Sequence, residues 1–93
     1  MRIRTQNREQ LVDITGRSIC IDTYKDGYEI HTGVPGNTLG CYSSKEKALL
    51  VLDIIEREYD KFVYKNGTYR KYGCFDMPKD DEVYSKAYEY GVI

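Results

Sequence analysis

The chain has 93 residues, of which 41% are hydrophobic and 31% are charged, and this composition predicts one globular domain rather than a disordered protein. It contains no run of about 18 apolar residues, and no apolar segment follows its first arginines, so we expect neither a membrane span nor a signal peptide and assign a cytoplasmic location. A net charge of −1 argues against general nucleic-acid binding and against imitation of DNA by charge alone.

The first half of the sequence alternates short β-rich runs with turn residues. The dipeptide Asp26-Gly27 lies between two such runs, which is a strong hairpin signal, and we expect Gly27 to adopt the positive φ that such turns need. The predicted strands are residues 1–5, 11–14, 18–24, 28–32 and 38–42. Consecutive short strands joined by tight turns predict an antiparallel meander.

Residues 43–63 predict a long amphipathic helix. Ser43 followed by Glu46 is a capping-box pattern, in which each side chain accepts a hydrogen bond from an otherwise free N–H of the helix start. An apolar stripe at helical spacing consists of Ala48, Leu52, Ile55, Tyr59 and Phe62, and Val51 widens it. The core is therefore expected to form against this face.

The position of each aliphatic residue around the helix predicts its burial. Leu52 and Ile55 lie in the middle of the stripe and should be among the most buried residues. Leu50 and Ile54 fall outside the stripe, so an isolated domain would leave them partly exposed.

The last third of the chain returns to β-structure before a short helix. A turn is predicted at residues 65–67, a weak strand at 68–72, and a strand at 73–77 that Pro78 ends. Acidic residues at 80–82 suit a helix N-terminus because they favour the helix dipole. Together these elements predict an α+β domain: an antiparallel sheet of about five short strands packed on one central amphipathic helix, with a C-terminal strand and a short helix.

The sequence offers no recognisable catalytic or metal-binding pattern. Cys20, Cys41 and Cys74 are scattered without CxxC spacing, so we expect neither a disulfide framework nor a zinc site and interpret them as small buried side chains. The single histidine, His31, alternates with Ile30 and is expected to face solvent. With no nucleophile and base at a recognisable spacing, the sequence predicts no enzyme, no metal and no cofactor.

Tyrosine and arginine form the one positive candidate for a binding site. The chain has ten tyrosines and two phenylalanines but no tryptophan, and tyrosine is typical of contact surfaces. Arginine binds phosphate through its planar fork, and tyrosine can stack on a base. The predicted ligand-binding residues are Arg4, Arg57, Tyr64, Tyr69, Arg70 and Tyr72. The alternative is that these are solvated basic side chains beside tyrosines at the rim of a small core.

Three blocks of the sequence resemble a known group of small proteins: IRTQNREQLVDI, LGCYSSKEKALLVLDII and FDMPKDDEV. They are similar to small proteins of Firmicutes genomes and prophages that share an opening I-R-S/T-Q-D/N, a central L-G-x-Y-x-S/T-x-E-K-A and a closing F-x-M-P. The resemblance covers about half of the chain, and its motifs mostly specify fold.

In size and in the order of strands before helix, the chain also resembles the phage Thoeris anti-defence sponges. That family sequesters cyclic ADP-ribose-type immune signals, so the resemblance implies a non-catalytic protein that sequesters a small phosphorylated (cyclic) nucleotide to antagonise host defence. No ligand-binding residue of that family aligns with a position here. The alternative from the same setting is a protein-binding inhibitor, similar to an anti-CRISPR, that uses the tyrosine-rich C-terminal third as its interface.

Self-association is a further expectation. A small sheet leaves open edges that must be covered, and ten tyrosines exceed what a core of this size needs. We therefore predict a homo-oligomer that forms through an edge strand or through the helix flank holding Leu50 and Ile54.

Overall fold

A computed structural model gives the chain an α+β fold with two three-stranded sheets around a central helix. It describes residues 1–33, 36–64 and 74–93, with the side chains of residues 60–64 left out. The strands are β1 (Arg2–Arg4), β2 (Leu11–Asp13), β3 (Ile19–Tyr24), β4 (Gly27–Thr32), β5 (Thr38–Tyr42) and β6 (Cys74–Asp76). The helices are α1 (Lys45–Tyr64) and α2 (Val83–Glu89), and a 3₁₀ turn at Asp80–Glu82 leads into α2. The predicted fold class is confirmed.

The strands do not form the single meander that the sequence predicted. One sheet has the order β3-β4-β5 and is antiparallel throughout. The other has the order β2-β1-β6, in which β1 pairs antiparallel with β2 and parallel with β6. The short strand after α1 thus pairs with the first strand of the chain and not with the meander, and periodicity alone carries no information about such a partner.

The β3–β4 hairpin forms where the Asp-Gly signal placed it, but Gly27 does not take the positive φ. That conformation falls on Lys25, whose φ is 53°. Gly27 begins β4, and a Cβ on it would lie 2.6 Å from the carbonyl oxygen of Tyr42, so glycine is needed there for close approach of two strands. The prediction that Gly27 adopts a positive φ was therefore wrong, and the glycine is needed for space and not for its backbone conformation.

Helix α1 is buried on more than the predicted stripe. Ala48, Val51 and Ile55 are buried as expected, but Leu52 is only partly buried. Ile54, expected to be partly exposed, is fully buried at 0% exposure. α1 is packed against α2 as well as against β4 and β5, so its burial is not limited to the one stripe that faces a sheet.

The start of α1 also differs from the predicted capping box. Ser44 is the capping residue, because its hydroxyl accepts the backbone N–H of Lys47 at 3.2 Å and its carbonyl accepts that of Ala48. Ser43 instead bonds Asp80, through its backbone N–H at 2.8 Å and through its hydroxyl at 3.0 Å. The serine pair therefore divides the two tasks of capping α1 and holding the segment before α2.

Two predicted features lie outside the described residues: part of the turn at 34–37, and the turn and weak strand at 65–72. None of the described helices is long and apolar enough to cross a membrane.

Candidate functional site

The three sequence blocks meet at one point of the fold. Gln6 from the first block and Tyr42 from the second both donate hydrogen bonds to the carbonyl oxygen of Pro78, which belongs to the third block. We call this meeting point the junction. The buried Tyr42 hydroxyl donates to this oxygen at 2.7 Å, and the Gln6 amide donates to it at 3.2 Å. Burial is the largest influence on the Tyr42 hydroxyl and raises its pKa well above the usual range, so it remains a donor at every working pH.

Gln6 joins the two sheets by acting as a short extension of a strand. Its backbone N–H donates to the Leu39 carbonyl at 2.8 Å. Its side-chain oxygen accepts the N–H of Cys41 at 2.9 Å, and its side-chain nitrogen donates to the Cys41 carbonyl at 3.0 Å. The amide side chain thus pairs with the outer edge of β5 as a peptide group of a neighbouring strand would.

Asp80 closes the same junction from the other side. Its carboxylate accepts both donors of Ser43 and lies 3.0 Å from the Lys47 Nζ. The Ser43 backbone hydrogen bond is the main reason that the pKa of Asp80 is lowered, with smaller contributions from Lys47 and from the Ser43 hydroxyl. The start of α1 and the approach to α2 are therefore fixed to each other by an ionised carboxylate.

A cleft with a cavity volume of 490 Å³ lies beside this junction. The turn after β1 contributes Gln6 and Arg8 to its lining, and α1 contributes Glu58. The rest of the lining comes from β6, the segment that follows it, the 3₁₀ turn and α2: Cys74, Phe75, Asp76, Met77, Pro78, Lys79, Glu82, Lys86 and Tyr90. A cavity of this size is in the range of small-molecule sites, about 300–1,000 Å³.

The charged side chains that line the cleft differ in whether they have partners within the fold. The Glu82 carboxylate accepts the backbone N–H of Lys79 at 2.9 Å, and the Asp76 carboxylate lies 3.8 Å from Arg4 Nε. Among the described residues, neither the Arg8 nor the Lys79 side chain has a carboxylate partner. The lining also includes Lys86, whose ammonium lies 3.5 Å from the Glu89 carboxylate, and the Glu58 carboxylate. Its formal charges therefore balance, and Arg8 and Lys79 are the two lining cations that pair with no carboxylate among the described residues.

The turn that carries Arg8 is held in an unusual conformation. Arg8 has a φ of 68°, in the left-handed region that an arginine adopts at a cost of roughly 1–2 kcal/mol. Side-chain bonds of the preceding residues build this turn: the Thr5 hydroxyl donates to Asn7 Oδ1 at 2.7 Å, and the same oxygen accepts the N–H of Glu9. A strained arginine at the lining of a cleft is a reason to look for a binding role, since glycine would fit the turn at lower cost.

Tyr90 gives the cleft an aromatic wall. Its ring packs edge-to-face on Phe75, with ring centroids 6.1 Å apart. Burial is the main reason that the pKa of Tyr90 is raised, and the nearby charges of Glu58 and Glu89 raise it further. The ring is therefore a neutral, fixed surface on which a planar group could lie.

Of the six residues predicted to bind a ligand, the structure describes the side chains of Arg4 and Arg57. Arg4 lies behind the cleft, where its Nη1 donates to the Arg8 carbonyl at 3.1 Å, so it supports the turn that carries Arg8. Arg57 is exposed on α1, and its Nη1 lies 3.5 Å from the position of a Cβ built on Gly91. Neither lines the cleft. The Tyr64 side chain, Tyr69, Arg70 and Tyr72 lie outside the described residues and stay predictions.

Sequence reasoning missed Arg8, Lys79, Lys86 and Tyr90 as possible ligand contacts. Arg8 lies in a Gln-Asn-Arg turn and Lys79 follows a proline. Both sequence contexts are typical of ordinary exposed loops. The one usable signal was the resemblance itself, because Gln6 and Pro78, which flank the cleft, belong to its first and last blocks.

The outer face of the β3-β4-β5 sheet holds the polar residues that the sequence left unassigned. All three cysteines are exposed, which corrects the prediction that they are buried, because Cys20 and Cys41 point away from α1 on this face and Cys74 lies on the exposed side of β6. His31 lies on this outer face as predicted, but its side chain is only 16% exposed because it is bonded on both sides.

Both ring nitrogens of His31 meet acceptors. Nδ1 lies 2.6 Å from the Thr32 carbonyl oxygen, and Nε2 lies in hydrogen-bond contact with the Asp22 carboxylate. Only the doubly protonated ring can donate to both. The Thr32 carbonyl first, and then Asp22, accordingly raise the pKa of His31. Both contacts favour the protonated ring, and His31 lies outside the cleft lining.

No protein-family model matches the chain, and the searches of curated proteins and of solved structures return no match either.

Proposed function

We propose that this protein is a non-catalytic binding protein that captures a small phosphorylated ligand, such as a nucleotide, in the cleft between β6 and α2. The observation that carries the proposal is the pair of cations, Arg8 and Lys79, which line a 490 Å³ cavity and pair with no carboxylate among the described residues, although Glu58, Asp76 and Glu82 line the same cavity. The prophage setting rests on the resemblance of the three sequence blocks, and the host immune signal as ligand rests on the separate resemblance in size and element order to the Thoeris anti-defence sponges.

The chemistry of the lining suits a phosphate attached to a planar ring. Arg8 offers a planar fork that remains charged at every working pH, and Lys79 adds a second, mobile cation. Gln6 and the Tyr90 ring supply neutral contacts.

The direct experiment asks what the protein carries out of a cell. Pure protein is incubated with an extract of signalling nucleotides, washed and denatured, and the released small molecules are identified by mass spectrometry. The proposal expects an intact phosphorylated compound, whereas an enzyme would release an altered one. Recovery of no small molecule from extracts of cells in which the defence response has been induced would contradict the proposal.

Arg8→Gly separates binding from folding. Glycine relieves the left-handed strain at φ 68°, so the melting temperature should stay equal or rise. The lost charge-assisted bonds, about 1.5–3 kcal/mol, should weaken binding about 10- to 150-fold. Arg2→Ala, which removes an exposed arginine outside the cleft lining, is the matched control and should bind as the parent does.

The predicted arginine and tyrosine set is tested in the same assay. Arg70→Ala should weaken binding by a similar factor if Arg70 reaches the ligand, and Arg70→Lys should recover only part because the planar fork is lost. Loss of binding in Arg70→Ala with none in Arg8→Gly would place the site away from the cleft.

A second candidate function is a protein-binding inhibitor, and one surface favours it. Tyr84 and Tyr88 lie one turn apart on the outer face of α2, with 46% and 78% of their surfaces exposed. The Lys47 ammonium lies 5.8 Å from the Tyr84 ring and holds it in place. A Tyr84→Ala, Tyr88→Ala double variant should lose a partner protein in a pull-down while it retains any small ligand, and the reverse result would favour the cleft.

A further inference from the structure

The outer edge of β3 is open for pairing. β3 is the first strand of its sheet, and its only neighbour among the described residues is β4. The hairpin has a two-residue loop, with Tyr24 opposite Gly27, so Tyr24, Asp22 and Cys20 direct their peptide groups towards β4. The bond from the Gly33 N–H to the Ser18 carbonyl continues the same alternation. The peptide groups of Ile19, Ile21 and Thr23 therefore point outwards.

Among the described strands, β3 is the one long edge that the fold leaves uncovered. Gln6 pairs with the outer edge of β5, and the outer strands of the other sheet, β2 and β6, have only three residues each. β3 has six residues, contains no proline or glycine, and includes Ile19, Ile21 and Thr23 with β-branched side chains. An edge of this length and composition is a template for another strand.

We propose that β3 pairs antiparallel with β3 of a second copy of this chain, about a two-fold axis at Ile21. This pairing joins the β3-β4-β5 sheets of the two copies into one sheet of six strands. It is independent of the proposed ligand site. In this register Ile21 lies opposite its own copy, and Ile19 lies opposite Thr23. All of the outward peptide groups then find partners, and the contact is isologous, as a two-fold dimer requires.

Charge and backbone conformation disfavour the neighbouring register that is centred on Asp22. An axis at Asp22 would place two Asp22 carboxylates directly opposite each other, which destabilises a strand pair. It would also place Ile19 opposite Lys25 of the second copy, and the φ of 53° at Lys25 is not an extended strand conformation. The axis at Ile21 instead places Asp22 opposite Cys20, which carries no charge when protonated.

An apolar groove continues the same contact surface on the side of the sheet that faces α1. It lies along the β3 end that holds Ile19, where Ile14, Leu52 and Tyr59 also line it, and it has a volume of 480 Å³. Thr23 of the second copy, opposite Ile19, would lie at the rim of this groove, and the two Ile21 side chains would meet at the axis on the same face. The second copy would therefore cover apolar surface as well as the peptide edge.

The first test is the mass in solution and its response to one proline. The parent protein should change from 10.9 kDa to twice that mass in light scattering as its concentration rises to about 100 μM, because a contact of this size is expected to have a micromolar Kd. Thr23→Pro removes an outward donor without breaking the β3–β4 ladder, so it should remain a monomer with an unchanged circular dichroism spectrum. Thr23→Val keeps the donor and should dimerise as the parent does. A monomeric parent, or a dimer that Thr23→Pro leaves intact, would overturn the proposal.

A disulfide trap tests the register and does not depend on the proline variant folding. In a background of Cys41→Ser and Cys74→Ser, Asp22→Cys should form a covalent dimer with Cys20 of the second copy on mild oxidation. The two residues form a non-hydrogen-bonded pair, with Cα atoms about 4.5 Å apart, within the range that a disulfide spans. Tyr24→Cys in the same background would trap the register centred on Asp22 and should form no covalent dimer. A covalent dimer from Tyr24→Cys alone, or from neither variant, would overturn the register.

Discussion

Replacing Gln6 by alanine tests the link between the two sheets. The substitution removes two hydrogen bonds to Cys41 and one to the carbonyl of Pro78. A typical hydrogen bond contributes about 0.5–1.5 kcal/mol net, and the two bonds to Cys41 fall at the low end because water reaches them, so the expected loss is about 2 kcal/mol. For a domain of this size, that loss corresponds to a decrease in melting temperature of about 8–16 °C.

The assay is a thermal melt followed by circular dichroism, with Gln10→Ala as the matched control. Gln10 is an exposed residue of the same turn whose side chain makes no hydrogen bond among the described residues, so its truncation should change stability by less than about 0.5 kcal/mol. Gln6→Glu should be worse than Gln6→Ala, because a carboxylate would face the carbonyl oxygens of Cys41 and Pro78. A Gln6→Ala melt within about 2 °C of the parent would refute the inference that this side chain holds the sheets together.

Two further measurements address the core and the histidine. Ile54→Ala should lower the free energy of unfolding by about 2–5 kcal/mol because Ile54 is fully buried. The control Leu49→Ala removes a side chain of a residue that is 47% exposed and should change the free energy of unfolding by less than about 0.5 kcal/mol. Equal losses in the two variants would contradict the packing of α2 on α1. Because the pKa of His31 is raised in the folded state, its stabilising contribution is complete below pH about 6.5 and is lost as the pH rises through the folded pKa. Denaturant titrations should therefore show that the parent, but not His31→Gln, loses stability as the pH rises above about 6.5, and identical pH profiles would contradict the two hydrogen bonds of the ring.

The elements that obey a local rule were predictable from the sequence. The five strands before α1, the helix itself and α2 follow from periodicity and turn residues, and the structure places them within a few residues of the predicted ranges. Tertiary partners were not predictable in this way. Ile54 is outside the stripe on a helical wheel, yet it is fully buried in a fold where α2 as well as the sheet packs against α1, and no local pattern encodes that helix–helix contact.

The candidate site was less predictable than the fold for the same reason. Arg8 and Lys79 are separated by most of the chain and come to one cleft only because β6 pairs with β1. The predicted set was instead chosen from residues adjacent in sequence, where a basic and aromatic composition can be recognised without knowledge of topology. Arg4 is predicted as a ligand contact because of its charge, but in the structure its guanidinium donates to the Arg8 carbonyl and supports the turn.

The parallel pairing of β1 with β6 has a consequence for how the chain folds as it is synthesised. Gln6 and Pro78, which bond across this pair, are 72 residues apart in sequence. At about 5–20 residues per second, β1 leaves the ribosome several seconds before β6 exists. The β3–β4–β5 meander and α1 have local contacts and can form during that interval. β1 can pair with β2 in the same interval, but its other edge gains a partner only when β6 has been made, so the contact that joins the two ends of this fold is completed last.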